Sequence, residues 1–393
     1  MKLVDVAEFY SEQGGGVRTY IQQKLAASAA LGHETVIVAP GAETRTDRRP
    51  GGRIEWIAAP PERFDHRYHR FDKAAPVHAL LDREQPDLVE GSSPWEGGRI
   101  VADWPGTAAK AFFLHQDPVA VYPHTFLDSA LSPAAIDRLF FWFWRYLRRL
   151  NNRYDTGIVS GQWLADRLSR FGLRNLHAVP FGIAKDAFSP ALRADAERRR
   201  MLAACGIDPA DPDALLLISI SRHHPEKRIS TLIDAVACLN RRRPVGLYLV
   251  GDGPFRGRVT RLAARCPQVY VAGFLRDRQA LAAALASADA MLHGSAAETY
   301  GLVIAEALVS GLPLVVPDRG GAVELSDPAY AELYRPGDAR ACARAVERLA
   351  GRDADRLRAA AVAAGRDRVR EPLDHFRALF AHYQAVAAAK SAR

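Results

Sequence analysis

Short apolar segments alternate with stretches of helical periodicity along most of the chain, and this alternation limits the possible folds more than any other feature. The apolar segment Ala214–Ser219 precedes a helical stretch at Arg228–Arg241, and Val245–Val250 follows as the next apolar segment. Strands separated by helices of about 10–15 residues are typical of βαβ units, whose strands form a parallel sheet. We therefore predict an α/β fold.

The alternation occurs in two successive sets, which predicts two Rossmann-like lobes with parallel sheets facing a central cleft. The predicted strands of the first set are Lys2–Val6, Thr35–Ala39, Pro86–Val89, Ala111–His115, Asp155–Ser160 and Leu176–Pro180. Those of the second set are Ala214–Ser219, Val245–Val250, Val269–Gly273, Ala290–His293 and Pro313–Val316. A length of 393 residues also favours two domains. We place the amino-terminal lobe at 1–190, the carboxy-terminal lobe at 191–371 and a final helical segment at 372–393.

Composition excludes several classes of protein. The longest apolar runs are shorter than the ~18 residues that a membrane-spanning helix needs. The first residues include charged side chains, so they do not form the apolar core of a signal peptide. The cysteines have no metal-binding or disulfide-framework spacing, and are Cys205, Cys238, Cys266 and Cys342. We expect a soluble, cytoplasmic protein with reduced thiols.

The net charge of +8 predicts an anionic partner without identifying it. Nucleic acid is the least favoured partner, because the chain has no recognised nucleic-acid-binding module.

The strongest functional signal is the segment from His293 to Glu306. A predicted strand ends there, a turn of small residues follows, and a helix begins near Gly301. The free N–H groups at a helix start can bind an anion. Glu298 and Glu306 are eight positions apart, which suits a sugar on one side of this anion site and a ribose on the other. The spacing is equally compatible with a loop acid and a solvated helix acid.

A second signal is the pair Arg222 and Lys227, directly after the predicted strand Ala214–Ser219. Ligands of parallel α/β sheets bind at the carboxyl ends of strands. Arginine offers a fork of donors to a diphosphate, and lysine adds a mobile positive charge. The alternative is that both side chains are part of the solvated surface.

Two weaker signals lie in the first half. Gly14–Gly16 follows the first predicted strand, where glycines would let the backbone approach a phosphate closely. The segment is not GxGxxG and no acid closes a second strand, so the dinucleotide-binding fingerprint is absent. His115 ends the predicted strand Ala111–His115, which would place it at the cleft edge, in either a structural or a catalytic role.

Together these segments resemble the retaining glycosyltransferases of family 4, which have the GT-B fold. The resemblance extends over nearly the whole chain. The matching motifs are the Glu298/Glu306 pair, Ser310–Pro313, Gly320–Glu324, the Arg222/Lys227 pair, Gly251–Pro254 and Gly15–Val17.

The resemblance implies transfer of a sugar from a UDP- or GDP-sugar to a hydroxyl acceptor, with retention at the anomeric carbon and without a metal or other cofactor. The implied catalytic residues are His115, Arg222, Lys227 and Glu298. The implied donor-binding residues are Gly15, Gly16, Gly253, Tyr300, Gly301, Leu302, Val303 and Glu306.

Each implied role has a chemical reason. Glu306 would bind the ribose and Glu298 the hydroxyls of the donor sugar, while His115 would lie beneath that sugar. Arg222, Lys227 and the amides of Gly301–Val303 would stabilise the departing diphosphate, on which negative charge develops in the transition state. In the front-face mechanism, the leaving phosphate oxygen accepts the proton of the acceptor.

The stretch 138–153 is basic and aromatic, and contains no acidic residue. Its arginines at 138, 145, 149 and 153 would lie along one helical face. Such a helix can lie on an anionic bilayer, in which case the acceptor is a membrane lipid or a lipid-linked glycan and the protein is peripheral to the inner face of the membrane. The alternative is a core helix with solvated arginines.

Two other functions stay open at this stage. One is a nicotinamide-dependent oxidoreductase, although the missing dinucleotide fingerprint opposes it. The other is a non-catalytic two-lobed protein that binds nucleotides or sugars. The resemblance further implies that the helix of 372–393 packs back on the first lobe.

Overall fold

A computed structural model describes residues 1–12, 15–63, 66, 68–128 and 130–392. The chain divides into two compact units. Unit 1 comprises Met1–His115, Asp137–Phe181 and Pro372–Arg393, and unit 2 comprises Gln116–Ile136 and Gly182–Glu371. The predicted lobe boundaries differ from this division, because 116–136 and 182–190 group with unit 2.

The first half of the chain contains, in order, β1 (Lys2–Val6), α1 (Gly16–Ala30), β2 (Glu34–Gly41), β3 (Arg45–Arg49), β4 (Gly52–Ala58), α2 (Ala75–Glu84), β5 (Leu88–Gly91), α3 (Glu96–Asp103), β6 (Ala109–Leu114), a π turn (Ala120–His124), α4 (Thr125–Leu127), α5 (Pro133–Leu139), α6 (Phe141–Asn151), β7 (Thr156–Val159), α7 (Gln162–Arg170) and β8 (Leu176–Ala178).

The second half continues with α8 (Asp195–Ala204), β9 (Leu215–Ile220), α9 (Ile229–Leu239), β10 (Val245–Val250), α10 (Arg256–Ala263), β11 (Val269–Gly273), α11 (Arg278–Ser287), β12 (Ala290–Leu292), α12 (Leu302–Val309), β13 (Leu314–Pro317), β14 (Ala331–Tyr334), α13 (Ala339–Ala350), α14 (Ala354–Asp367) and α15 (Pro372–Ser391). Short 3-10 turns occur at Lys185–Ala187, Pro190–Leu192, Pro225–Lys227 and Gly321–Leu325.

The sheet of unit 1 has eight strands among the described residues, in the order β3-β4-β2-β1-β5-β6-β7-β8. All neighbours are parallel except β3, which pairs antiparallel with β4 at one edge. The edge strand β3 is rich in charged residues, which discourages pairing with another sheet. Strands β5, β6 and β7 are buried along their whole length.

The sheet of unit 2 has six parallel strands among the described residues, in the order β11-β10-β9-β12-β13-β14. Its central strand β9 is flanked by β10 and β12. Residues such as Leu217, Leu247 and Val315 pack in one buried apolar cluster. Strands covered by helices on both faces have nearly continuous apolar sequences, as β9 does. The prediction of two parallel-sheet α/β lobes is confirmed.

Three strands are not among the sequence predictions: β3, β4 and β14. In β4, the apolar residues Ile54 and Trp56 alternate with the polar residues Arg53 and Glu55, which is a strand signal. Strand β3 consists mainly of charged residues, because it lies at the solvated edge of the sheet. It therefore lacks the apolar pattern from which a strand is predicted.

The predicted single helix over 138–153 is wrong. The structure has two helices, α5 and α6, and Phe140 separates them with a backbone outside the ideal helical region. Helix α6 buries Phe143, Trp144 and Leu147 in unit 1 and exposes Arg145. Arg138 and Arg153 lie outside α6, so the four arginines do not share one helical face.

Helix α15 packs within unit 1, next to α1 and β6. Phe376, Leu379 and Phe380 belong to a buried cluster that also contains Phe113 of β6. The amphipathic start of this helix therefore completes the apolar core of unit 1, although it is the last element in the chain.

A buried charge network connects four elements of unit 1. Lys24 of α1 lies 2.8 Å from the carboxylate of Asp5 in β1 and 2.7 Å from that of Glu90 in β5. Tyr383 of α15 donates a hydrogen bond of 2.6 Å to Glu90. Burial alone lowers the pKa of Lys24, but the two carboxylates outweigh this effect and raise it. Lys24 therefore stays charged, and the two carboxylates share its single positive charge. Burial and the neighbouring Glu90 raise the pKa of Asp5.

Two further findings bear on the class of protein. No helix of the described ranges is long and apolar enough to cross a bilayer. The four cysteines are free, and burial raises the pKa of Cys205 and of Cys342 to about 12, so these thiols are protonated and unreactive at neutral pH.

We expect the variant Lys24→Ala to destabilise unit 1 by about 3–5 kcal/mol, because it leaves two buried carboxylates without a counter-charge. Urea unfolding followed by circular dichroism measures the change. Lys390→Ala is the matched control: Lys390 pairs with Asp155 at a partly exposed site, and its loss is expected to cost less than about 1 kcal/mol. Equal losses in the two variants would contradict the role given to Lys24.

Candidate active site

Two loops of unit 2 meet at the carboxyl ends of neighbouring strands. One follows β9 and ends in the 3-10 turn Pro225–Lys227, and the other follows β12 and contains Glu298. Because β9 and β12 pair in parallel, both loops leave the same edge of the sheet. Nζ of Lys227 lies 3.1 Å from Oε2 of Glu298, in a hydrogen-bonded ion pair that joins the two loops.

Gly294 allows the two loops to touch through their backbones. A Cβ at this position would lie 2.4 Å from the carbonyl oxygen of Lys227, closer than non-bonded atoms approach. Gly294 is not among the residues selected from the sequence. The small-residue turn 294–297 can be recognised in the sequence, but its contact with the carbonyl oxygen of Lys227 cannot.

The electrostatics of the pair keep both groups charged. Burial raises the pKa of Glu298, but the positive charge of Lys227 outweighs it and holds that pKa below its usual value. Burial lowers the pKa of Lys227, and Glu298 and Glu226 together raise it above its usual value. Glu298 is therefore a carboxylate that accepts hydrogen bonds at neutral pH.

His293 is a further residue of this cluster that the sequence reasoning did not select. Its ring is buried, and its Nε2 lies 3.7 Å from Oε2 of Glu298. Burial lowers the pKa of His293 to about 4, so the ring is neutral. Tyr334 at the end of β14 donates a hydrogen bond of 2.6 Å to the carbonyl oxygen of His293, which fixes the start of this loop.

Helix α12 begins at Leu302, shortly after Glu298. Gly301 precedes the helix with a φ of 90°, a left-handed conformation that favours glycine. The first intrahelical bond runs from the amide of Ile304 to the carbonyl of Gly301, so the amides of Gly301, Leu302 and Val303 precede the helical ladder. These amides and the helix dipole can bind an anion.

Glu306 lies inside α12, and burial raises its pKa to about 7, against the opposing effect of the positive charge of Arg278. The carboxyl group is therefore balanced between its two protonation states at neutral pH. Tyr300 is also buried, and burial raises its pKa to about 12. A ligand contact at position 300 would therefore come from the backbone.

Arg222 is exposed on the loop after β9. Gly253, in the turn after β10, packs against this loop: a Cβ there would lie 2.8 Å from the carbonyl oxygen of His223 and 3.0 Å from Cγ of Arg222. The predicted Gly251–Pro254 turn therefore supports the loop that carries Arg222.

The remaining predicted residues lie in unit 1. His115 follows β6, and its ring stacks on Phe113 at 4.2 Å and meets the edge of Tyr20 at 5.4 Å. Burial lowers the pKa of His115 to about 4. Gly15 and Gly16 are exposed at the start of α1, and a Cβ at either position would meet no atom within 4 Å. Gly14 lies outside the described residues.

Comparison with known proteins identifies the family. The model "Glycosyltransferase Family 4" matches residues 14–186, and the model "Glycosyl transferases group 1" matches residues 214–352. Together the two matches cover both halves of the chain and all residues of the candidate site in unit 2.

Curated relatives agree with this assignment. A GDP-mannose-dependent alpha-(1-6)-phosphatidylinositol dimannoside mannosyltransferase of Mycobacterium tuberculosis is 29% identical over 83% of this chain and 81% of its own. A GDP-mannose-dependent alpha-mannosyltransferase of Mycolicibacterium smegmatis is 27% identical over 87% of this chain and 86% of its own.

Solved structures share the fold. The Anabaena HepE protein, crystallised with UDP and glucose, has a TM-score of 0.71 and 18% identity, and the match covers 98% of this chain and 100% of HepE. Sucrose-phosphate synthase of Thermosynechococcus elongatus has a TM-score of 0.70 and 20% identity, over 99% of this chain and 96% of its own. The fold is therefore GT-B, as predicted.

The two α/β units and the loops at the strand ends define a nucleotide-sugar-dependent glycosyltransferase of the hexosyltransferase class. More closely, the chain belongs to the group 1 glycosyltransferases of family 4. The oxidoreductase alternative is thereby excluded.

We expect Gly294→Ala to lower the affinity for a nucleoside diphosphate at least about tenfold, because the added methyl group forces the Lys227 loop away from Glu298. Isothermal titration with GDP and UDP measures this affinity. Gly257→Ala is the matched control, since a Cβ at this helical position meets no atom within 4 Å. Unchanged affinity in Gly294→Ala would show that the close contact of the loops does not shape the anion site.

Proposed function

We propose that the protein transfers a hexose from a nucleotide-diphosphate sugar to a hydroxyl group of a lipid or lipid-linked acceptor, with retention and without a metal ion. The observation that carries this proposal is the Lys227–Glu298 ion pair beside the amino terminus of α12. A positive charge and the helix amides, which can bind a diphosphate, thus lie next to a carboxylate that can accept hydrogen bonds from sugar hydroxyls.

The bond changes follow from this chemistry. The bond from the anomeric carbon to the phosphate oxygen breaks, and a bond from the acceptor oxygen to the same carbon forms on the same face. The acceptor proton moves to the departing phosphate oxygen. Lys227, Arg222 and the amides of Gly301–Val303 stabilise the negative charge on the diphosphate, in place of a metal ion.

The other residues would position the donor. The ionised carboxylate of Glu298 accepts hydrogen bonds from the sugar hydroxyls, and the carboxyl group of Glu306 hydrogen-bonds the ribose hydroxyls. Neutral His115 can hydrogen-bond the sugar without adding charge. Gly15 and Gly16 leave the backbone at the start of α1 open to a ligand.

The relatives support a particular donor and acceptor class. The mycobacterial relatives are named GDP-mannose-dependent, and one of them acts, by its name, on a phosphatidylinositol dimannoside. We therefore take GDP-mannose as the first donor to test, ahead of UDP-sugars, and a membrane glycolipid as the acceptor.

The surface of unit 1 supports contact with a membrane. Leu139, Phe141 and Trp142, here called the aromatic patch, are 55%, 66% and 57% exposed around the break between α5 and α6. Arg145 and Arg149 are exposed on α6 next to this patch in sequence. Aromatic side chains that enter the interface, with arginines that attract anionic headgroups, are typical of peripheral membrane proteins.

We expect Lys227→Ala and Glu298→Gln each to lower kcat for sugar transfer by about 10²–10³-fold with the fold intact, because each removes a charge aimed at the reacting donor. Transfer is measured with radiolabelled GDP-mannose and a membrane lipid extract, and circular dichroism checks the fold. Glu371→Gln, at an exposed position, is the control. Donor binding without transfer by the wild-type protein would instead favour the non-catalytic alternative.

The same assay tests the stereochemistry and the metal requirement. The product is expected to keep the anomeric configuration of the donor, read by proton NMR, and EDTA is expected to leave the rate unchanged. An inverted product or a rate restored only by a divalent cation would contradict the proposed mechanism.

We expect Phe141→Ser/Trp142→Ser to lower binding to vesicles of phosphatidylglycerol and phosphatidylcholine at least about tenfold, because it removes the apolar side chains that enter the bilayer interface. Co-sedimentation at low salt measures the bound fraction. Phe274→Ser is the control, because Phe274 is a similarly exposed aromatic residue (68%) of unit 2. Equal loss in both variants, or no binding by the wild type, would exclude the aromatic patch as a membrane contact.

A further inference from the structure

Unit 2 contains a cavity of about 800 Å³ whose walls include none of the residues assigned above to the donor. Its walls come from the turn after β9, the start of α10, the segment between β14 and α13, and the segment around α4. Pro225 and Arg228 line the cavity, but Lys227 and Glu298 do not. The cavity therefore borders the turn that carries Lys227 without including the ion pair itself.

The charge of the walls is strongly positive. Among the described residues, four arginines, His224 and two acids line the cavity; the arginines are Arg228, Arg258, Arg335 and Arg340. One acid, Asp128, already pairs with Arg228. The other, Asp338, accepts a hydrogen bond of 2.8 Å from the amide of Ala341 and so caps α13. Both acids are thus committed to protein groups.

Three of the guanidinium groups remain available. Arg258, Arg335 and Arg340 are exposed, and within the described part of the chain no ion pair joins any of them to an acid. Elsewhere in this unit, arginines such as Arg198 and Arg348 are paired. Three unneutralised arginines around one concave space repel each other, and an anion in that space would relieve the repulsion.

The chemistry of the walls selects the type of anion. A guanidinium group presents parallel donors that match the oxygens of a phosphate. The Asp338 carboxylate already caps the start of the 12-residue helix α13, so the arginines supply the positive charge of this wall. Phe126 and Phe255 supply apolar surface beside these donors. This combination suits a phosphate group carried by a larger molecule.

We infer that this cavity is a second phosphate-binding site, separate from the site for the donor diphosphate. Its ligand is a phosphate monoester or diester, held by Arg335, Arg340 and Arg258. The phosphate belongs either to a small phosphorylated molecule or to a lipid headgroup. Arg228 connects the cavity to the turn of Lys227, because the two residues are consecutive and the amide of Arg228 bonds the carbonyl of Pro225 at 2.9 Å.

Phosphorus NMR titration with inorganic phosphate tests the site in the full-length protein. The double variant Arg335→Ala/Arg340→Ala is expected to weaken phosphate binding at this site at least about tenfold. Arg265→Ala/Arg344→Ala is the matched control: it removes the same charge from exposed positions on α13 and next to α10, outside the cavity. The control is expected to bind phosphate like the wild type.

Lys227→Ala separates the two anion sites. Phosphate binding at the cavity is expected to persist in this variant and to disappear when Arg335→Ala/Arg340→Ala is added. If the cavity variant binds phosphate as tightly as the control, or if Lys227→Ala alone abolishes all binding, the second site does not exist. Neither measurement involves sugar transfer, so the result is independent of the proposed function.

Vesicles distinguish the two sources of phosphate. If the ligand is a headgroup, Arg335→Ala/Arg340→Ala also lowers co-sedimentation with vesicles of phosphatidylinositol and phosphatidylcholine, while the control variant does not. If the ligand is a small molecule, glycerol 3-phosphate competes with inorganic phosphate and vesicle binding is unchanged. Both results require an intact cavity. If Arg335→Ala/Arg340→Ala changes neither phosphate binding nor vesicle binding, the proposal is wrong.

Discussion

The ion pair between Lys227 and Glu298 is the interaction on which the site of unit 2 depends. It joins two loops that leave neighbouring strands, and Gly294 lets their backbones approach closely enough for the pair to form. Burial of both groups would favour their neutral forms, so each needs the other to remain charged. One contact therefore keeps a lysine positive and a carboxylate negative at the edge of the sheet where α12 begins.

Unit 1 is organised by a different buried contact. Lys24 pairs with both Asp5 and Glu90, and Tyr383 attaches the carboxy-terminal helix to the same network. The network lies among the elements that surround His115, and its charges act on the pKa of that ring. Helix α15, the last element of the chain, is thus hydrogen-bonded to the sheet that contains β1, the first element. This contact explains why 372–391 groups with unit 1.

Much of the fold was predictable from the sequence, because strands buried on both faces have continuous apolar sequences. The predicted bounds of β1, β10 and β11 agree with the structure residue for residue. The failures occur where solvent reaches the backbone: β3 is a charged edge strand, and the break at Phe140 interrupts a periodic pattern that contains no glycine or proline there. The membership of 116–136 in unit 2 depends on contacts between distant segments, which no local pattern records.

For the site, the motifs around Arg222, Lys227, Glu298 and Gly301 could be located in the sequence, since each follows an apolar strand and strand ends gather at one edge of a parallel sheet. The types of residue at that edge of the sheet could therefore be predicted from the sequence alone. The protonation states could not, because the pKa values of Glu306 and His293 depend on burial and on neighbours from other loops. The cavity of arginines could not be predicted either, because its members are spread from 228 to 340 in the chain and are brought together only by packing of the helices.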